Sequence, residues 1–319
     1  HPEYHALMER NFAIMITTLS SSDTAFLRAV EKIQQRAERS QKELASGKRI
    51  FAASDEPDGV SPLLTTRAEL ESTEQIANNL SRTKAEVDAA ENGLQQAIKI
   101  LDRARTLAAQ GLNSFNADST WDALLLEVSD LTQQMLNVSN LAIEGRFVYS
   151  GNSDTVQPFD FDPTLKDVTS YAGGPATRQS LFPGGSPFNV ARPGDAIFDN
   201  SGVDENGLSK SVFGALRSLR DALESREPQA LRSAIESVEA ATRNVSNELS
   251  FYGSAQRRIT EATAAADTMS LSIKSQLSRL EDADLTESIL ETQQSRFQLE
   301  AAFQVRSQRQ NRTLFDYIG

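Results

Sequence analysis

Cysteine is absent from the 319 residues, and histidine occurs only as His1 and His5. The first absence excludes disulfides, zinc–thiolate sites and thiol catalysis, although it assigns no compartment. The second confines any imidazole acid–base or metal chemistry to the extreme N-terminus, where chains commonly fray. Tryptophan is single. No run of 18 apolar residues occurs, so no membrane-spanning helix is expected. Lysine and arginine number 32 against 44 acids, and a net charge of −12 lacks the basic footprint of a nucleic-acid partner. The first 30 residues also lack the charged start, apolar stretch and small-residue cleavage site of a secretory signal. The chain opens on His, whereas Met15 begins "MITTLSSSDTAFLRAVEKIQQ", which reads as a natural start; residues 1–14 are read as a non-native or extension segment.

What is present is helix. Hydrophobic residues at 39% and charged residues at 24% suit a chain that buries a sizeable core, in one to three domains. Phe26, Val30, Ile33, Ala37 and Leu44 mark a first helix fading at Ser46-Gly47. Gly47 fits its C-terminal cap, and Lys48 with Arg49 suit the negative end of the helix dipole. After the loop, Ser61-Pro62 reads as an N-cap with proline in the first helical position. Ile76, Leu80, Thr83, Val87, Ala90, Leu94, Ala97, Leu101, Ala104 and Ala108 then alternate four and three apart. That is a heptad seam, and its alanines admit a close partner helix. From Pro62 to Asn113 such a helix would run roughly 75 to 80 Å. "NSFNADST" interrupts the pattern; Trp121, Leu124, Val128, Leu131, Met135, Val138 and Ala142 resume it and end at Gly145, which predicts an antiparallel helical hairpin.

Between about Arg146 and Ser209 the texture changes to Pro, Gly, Asp and aromatics with short runs such as "RFVYS" and "AIF", the marks of strands and turns. Helix returns at Val212, Leu216, Leu219 and Leu223, and again at Leu231, Ile235, Val238, Thr242, Val245 and Leu249. From Gln256 it is expected to run on through Ile259, Ile273, Leu280, Leu285, Ile289, Leu299 and Phe303. The expected fold is mainly α: long antiparallel heptad helices from both termini form a rod or bundle, with a small β-rich inserted domain. Residues 15–60 form an N-terminal assembly helix and turn, 61–147 a long helical hairpin, 148–210 the insert, and 211–319 the C-terminal helices. The two ends of the chain are expected to share a bundle.

The loop "LASGKRIFAASDEPDGV" (residues 44–60) offers a Gly-Lys pair and an acid cluster. It lacks the G-x-x-x-x-G-K-S/T spacing and the preceding strand of a phosphate loop, and Asp55, Glu56 and Asp58 lack the calcium-loop pattern. Those acids are read as helix-start caps that neutralise Lys48 and Arg49. "SRLEDADL" (residues 278–285) crowds three acids that one helical face cannot gather, and is read as a solvated, pairing face. Asp154, Asp160, Asp162 and Asp167 have the makings of a hydrolytic carboxylate pair, but turn-rich segments contain such acids anyway. No G-x-S-x-G occurs. No catalytic, cofactor or metal site is expected.

Both quoted stretches resemble the flagellin superfamily. "LASGKRIFAASDEPDGV" is similar to its N-terminal pattern, in which a helix ends in an S-G-x-R-I/V turn followed by S-x-D-D/E-P or K-D-D. "SRLEDADL" before a final long helix is similar to its C-terminal pattern. The resemblance covers about Met15 to Ser150 and Val212 to Gly319; residues before Met15 have no counterpart. Pro57, the tract "EGRFVYSGNSDTVQPF" and the ending "TLFDYIG" resemble the hook–filament junction class (hook-associated protein 3), whereas flagellins more often carry K-D-D-A-A-G and an L-L-R-like tail.

The resemblance implies a structural axial protein of the bacterial flagellum, extracellular and not an enzyme, exported unfolded through the type III apparatus without a cleaved signal. Its implied partners are further copies in a ring, a neighbouring hook-associated protein, flagellin and an export chaperone, with no nucleic acid, membrane or cofactor. It assigns the turn motif to Ser46, Gly47, Lys48, Arg49, Ser54, Asp55, Glu56 and Pro57. The C-terminal motif and packing fall to Arg279, Leu280, Glu281, Asp282, Asp284, Leu285, Ile289, Leu299, Phe303, Leu314 and Phe315. Flagellin itself, a surface binding module and a sensory coiled coil are the alternatives. Amphipathic ends with more apolar surface than a hairpin buries imply protease sensitivity before about Gly47 and after about Leu285 in the monomer.

Overall fold

The computed structural model describes residues 2–52, 55–113, 118–164 and 167–310, with side chains over residues 24–308. The expected positions Ser54, Leu314 and Phe315 lie outside the described residues. The first helix, α1 (Pro2–Ser46), begins well before Phe26 because no glycine or proline interrupts the sequence between Glu3 and Ser46. It stops at Gly47, which takes the left-handed φ of +71° and donates its N–H to the Glu43 carbonyl at 2.8 Å.

The next helix, α2 (Pro57–Asn113), starts four residues before the expected Ser61 cap. The Glu56 carbonyl already accepts the Gly59 and Val60 N–H groups at 3.0 and 3.2 Å. Pro57 therefore occupies the first helical position, where a missing N–H costs nothing. Pro62 sits in the second turn on an exposed face, forfeiting only one ladder bond.

A third helix, α3 (Asp118–Ser139), also departs from its expected end. Ala142 and Gly145 do not extend it; they belong to a two-residue hairpin, β1 (Ala142–Ile143) with β2 (Arg146–Phe147). Glu144 and Gly145 carry φ of 49° and 78°, the paired left-handed conformation of a tight two-residue hairpin turn. The middle region continues with two more antiparallel hairpins, β3 (Phe161–Asp162) with β4 (Asp167–Val168) and β5 (Gln179–Leu181) with β6 (Pro187–Asn189). The short α4 (Gly194–Phe198) follows. Then come α5 (Val212–Ser225), α6 (Pro228–Glu281) and α7 (Leu285–Gln310). The expected run of helix through Leu285 is broken at residues 282–284, where Asp284 starts a new helix.

The chain divides into two compact units, residues 1–69 with 272–319 and residues 70–271. In the second unit the α2 seam is buried as its spacing requires: Leu80, Ala90, Leu94, Ala97, Leu101, Ala104 and Ala108 are all fully buried. Arg103 pairs with Glu127 of α3 at 2.6 Å, so those helices run antiparallel. On α6, Gln256 donates to Asp88 at 2.9 Å while Glu239 lies 3.8 Å from Arg105, a second antiparallel pairing. Trp121, Leu124, Val128 and Met135 of α3 and Leu216, Leu219 and Leu223 of α5 complete the helical core. The middle region joins it through an aromatic cluster in which Tyr149 lies 5.1 Å from Phe198 and Phe159 5.1 Å from Phe213, ring centre to ring centre. The Tyr149 hydroxyl donates to the Ala90 carbonyl at 2.8 Å, tying the hairpin region to α2.

In the first unit α1 and α7 form an antiparallel pair: Phe26 meets Phe303 at 6.4 Å, Arg36 meets Glu291 at 3.8 Å, and Ser288 donates to Glu43 at 2.9 Å. The two ends of the chain thus share one packed unit. The α1 seam contains the expected Phe26, Val30, Ile33, Ala37 and Leu44 together with Ser40, all buried or half-buried.

Candidate functional site

The residues that stand out in the sequence meet at one corner of the first unit. After Gly47 turns α1 aside, Lys48 and Arg49 run extended beside residues 281–283. The Arg49 N–H donates to the Glu281 carbonyl at 2.7 Å, the Ala283 N–H donates to the Gly47 carbonyl at 2.9 Å, and Lys48 bridges Asp282 antiparallel. Two motifs more than 230 positions apart are stitched by their backbones (Arg49 to Leu280 alone is a separation of 231).

Charge reinforces the stitch. Glu281 is buried, with 7% of its surface exposed, and is ion-paired by Lys48 and by Arg67, the latter at 2.7 Å. Burial pushes its carboxyl up, but the hydrogen-bonded Lys48 and Arg67 together outweigh burial and hold it below the usual carboxylate range. Arg49 pairs with Glu56 at 3.2 Å and donates to the Leu280 carbonyl at 3.2 Å. It thereby satisfies the C-terminal end of α6 rather than that of α1.

The neighbouring groups hold the chain in shape on either side. The Ser46 hydroxyl accepts the Lys48 N–H at 3.1 Å. Asp55 caps no helix, contrary to expectation; its carboxylate accepts the Phe51 and Ala52 N–H groups at 2.9 and 2.7 Å, and these backbone bonds lower its pKa. Pro57 opens α2. Arg279 donates to Ser275 at 2.8 Å and Ser278 to Asp282. Asp284 is the N-cap of α7, accepting the Thr286 and Glu287 N–H groups at 2.9 and 3.2 Å. The acids of "SRLEDADL" are therefore divided between a buried ion pair, a helix end and a helix start, and do not share a solvated face.

Leu285, Ile289 and Phe303 are exposed, at 49%, 47% and 54%, and Leu299 is half-buried. Sequence reasoning missed Arg67, which stands ten residues into α2 with nothing local to mark it. It also missed Ser288, Thr292 and Ser295, the buried residues on α7. Their four-and-three spacing was visible, but it is polar and the apolar residues drew the reading.

The four acids of the middle region serve local structure. Asp154 pairs with Arg146 at 3.4 Å, Asp162 accepts the Thr164 N–H at 2.7 Å, Asp160 binds its neighbouring N–H, and Asp167 pairs with Arg217. Among the described residues no group of three or more His, Cys, Asp or Glu is placed to hold a metal, and no helix is long and apolar enough to cross a membrane. What the corner does is mechanical: it locks the exit of one terminal helix to the entry of the other.

Two family models match the chain, the bacterial flagellin N-terminal helical region over residues 16–154 and the bacterial flagellin C-terminal helical region over residues 235–318. Together they take in more than half of it, including both halves of the corner. A flagellin of Halalkalibacterium halodurans is 24% identical over 254 residues, 80% of each chain. Among solved structures, a putative flagellar hook-associated protein from Vibrio parahaemolyticus matches with a TM-score of 0.61 at 16% identity, over 72% of this chain and 100% of that one. The flagellar hook associated protein-3 of Legionella pneumophila matches with a TM-score of 0.58 at 13% identity, over 68% and 98%. At such identities the structural likeness speaks for the fold.

Proposed function

Since the chain belongs to the bacterial flagellin family, and is thus a structural axial protein rather than an enzyme, we propose that it forms the junction between the flagellar hook and filament. The observation that carries an assembly role is the outward side of α7. Leu285, Ile289, Leu290, Phe297 and Val305 are all exposed there, while its buried residues are Ser288, Thr292 and Ser295. A helix arranged in that way has its apolar surface left for neighbours. The choice of junction over filament is supported by Pro57 at the head of α2 and by the fit to nearly the full length of two hook-associated proteins.

In this reading residues 15–60 and the C-terminal helices make the assembly region, with the corner from Ser46 to Pro57 and Arg279 to Leu285 setting its geometry. Residues 148–210 decorate the subunit. Copies associate in a ring between another hook-associated protein and flagellin, outside the cell. The chain reaches that place unfolded through the flagellar type III apparatus, with an export chaperone covering the C-terminal helix beforehand. Immunogold labelling confined to a thin band beside the hook is the expected result, and label along the whole filament refutes the junction. A deletion strain should keep hooks, lose filaments and leak flagellin into the medium. The similarity to a flagellin over 80% of both chains favours the filament subunit as the second reading; the same labelling decides between them.

A further inference from the structure

The tetrapeptide Glu-Asn-Gly-Leu occurs twice in this chain, at residues 91–94 and at residues 205–208. Asparagine is thermolabile, and most so before glycine, whose backbone nitrogen no side chain shields. The local sequence is the same at both places, so a difference in reactivity has to come from the fold.

Asn92 lies inside α2. The Gly93 N–H belongs there to the helical ladder, which points it toward the preceding turn and away from the Asn92 side chain. Gly93 is also buried against the core, where a β-carbon built on it would lie 2.7 Å from the Tyr149 hydroxyl. Freeing that nitrogen means opening a long helix at its packed face. Asn206 and Gly207 are instead exposed, in the connection between α4 and α5. Gly207 has a φ of +78° and open space where a side chain would stand. Its N–H is held by one turn bond, to the Asp204 carbonyl at 3.0 Å, and an exposed bond of that kind opens at small cost. The Asn206 side chain makes no hydrogen bond among the described residues. Asparagines that precede serine are held: Asn200 donates to the Ala196 carbonyl at 3.0 Å and accepts the Gly202 N–H at 2.9 Å, and Asn152 accepts the Ala176 N–H at 3.3 Å.

We propose that Asn206 is a deamidation site, converting to aspartate and isoaspartate as the folded protein ages. The Gly207 nitrogen attacks the side-chain carbonyl carbon of Asn206. A C–N bond forms, the bond to Nδ2 breaks, and the proton lost from Gly207 leaves with ammonia. Water then opens either carbonyl of the cyclic imide, one opening giving aspartate and the other isoaspartate. Both products add a negative charge beside Asp204 and Glu205. Isoaspartate also lengthens the backbone by one methylene, in a turn where one Asp204 oxygen accepts the Asn206 and Leu208 N–H groups, each at 2.9 Å. The other Asp204 oxygen pairs with Arg243 of α6 at 2.7 Å. The added length separates the two N–H groups and unfastens the turn. The site lies within the second unit and does not depend on the junction reading.

The test incubates the full chain at mildly alkaline pH, folded or in guanidinium, and reads each asparagine by peptide mass spectrometry, with isoaspartyl methyltransferase as the probe for the isoaspartyl linkage. In the folded chain Asn206 should convert at least about tenfold faster than Asn92. In guanidinium the two rates should converge. Asn206→Gln, which disturbs no bond, should remove most of the methyltransferase signal. The Leu208 N–H of the isoaspartyl form should exchange faster than in the fresh chain. An intact Asn206 in the aged folded chain overturns the proposal, as does an Asn92 that converts equally fast or a rate difference that persists in guanidinium. So does an undiminished signal in Asn206→Gln, or unchanged protection of Leu208 in the isoaspartyl form.

Discussion

Replacing Glu281 by Gln tests the corner directly. The substitution keeps the side chain's volume and removes its charge, leaving Lys48 and Arg67 facing an amide. Stranding one partner of a fully buried ion pair costs about 3 to 5 kcal/mol. Here the two cations are each about half exposed, at 50% and 46%, so they recover hydration and the surface-pair scale must discount the loss. An expected cost of about 1 to 2 kcal/mol follows, equivalent to roughly 5- to 30-fold in a local opening equilibrium. The assay is amide hydrogen exchange at the two stitching donors, the Arg49 and Ala283 N–H groups, which should exchange faster by about that factor at pH 7. The pH dependence carries the sharper check. The Glu281 pKa is depressed in the folded state, so its contribution is present above the unfolded carboxyl value and fades as pH falls through the lower folded value. Wild type and variant should therefore converge in acid. Equal protection at pH 7, or a difference that persists once the carboxylate is protonated, would refute the account of the corner.

Other changes test other parts of the structure. Asp284→Ala removes the acceptor for two N–H groups at the head of α7 and should cost about 1 kcal/mol in denaturant unfolding of the first unit. Tyr149→Phe deletes the buried hydroxyl donor to Ala90 and should lower the stability of the second unit by about 1 kcal/mol, since the Ala90 carbonyl keeps its helical partner; calorimetry measures it. Thr292→Val replaces a buried hydroxyl that bonds only back to the Ser288 carbonyl at 2.8 Å. The α1–α7 pair should tighten by about 0.5 to 1 kcal/mol, seen as slower limited proteolysis before Gly47 and after Leu285.

The helices of this chain were legible wherever apolar spacing persisted over several turns. The seams from Leu80 to Ala108 and from Phe26 to Leu44 sit where their periodicity puts them. What failed was termination. Periodicity cannot see that Glu56 offers its carbonyl five residues before Ser61, or that Asp284 restarts a helix, because each event depends on one residue accepting two backbone N–H groups. The corner was half legible: each motif could be recognised, but their meeting rests on a backbone bridge between residues 47–49 and 281–283. Arg67 was invisible because its partner is distant in sequence and its own surroundings are ordinary helix.

The inversion of α7 is where sequence pattern, packing and assembly meet. Ser288, Thr292 and Ser295 follow seam spacing and are buried against α1. Leu290 and Phe297 share one heptad position, so these two exposed residues keep one register on the outward side. Full burial of such a side chain is worth about 1.5 to 3 kcal/mol. Leu285, Ile289, Leu290, Phe297 and Val305, at 47% to 72% exposure, leave on the order of 4 to 9 kcal/mol unrealised, before the cost of association. The inward seam offers hydroxyls, one bonded across to Glu43 of α1 and one back within α7, which bury little apolar surface. The larger energy therefore lies on the face that α1 does not cover. A chain that needed only to fold would place those residues the other way round. Their placement suits a helix whose packing is finished by a neighbouring subunit, with the corner at Glu281 holding it in position to receive one.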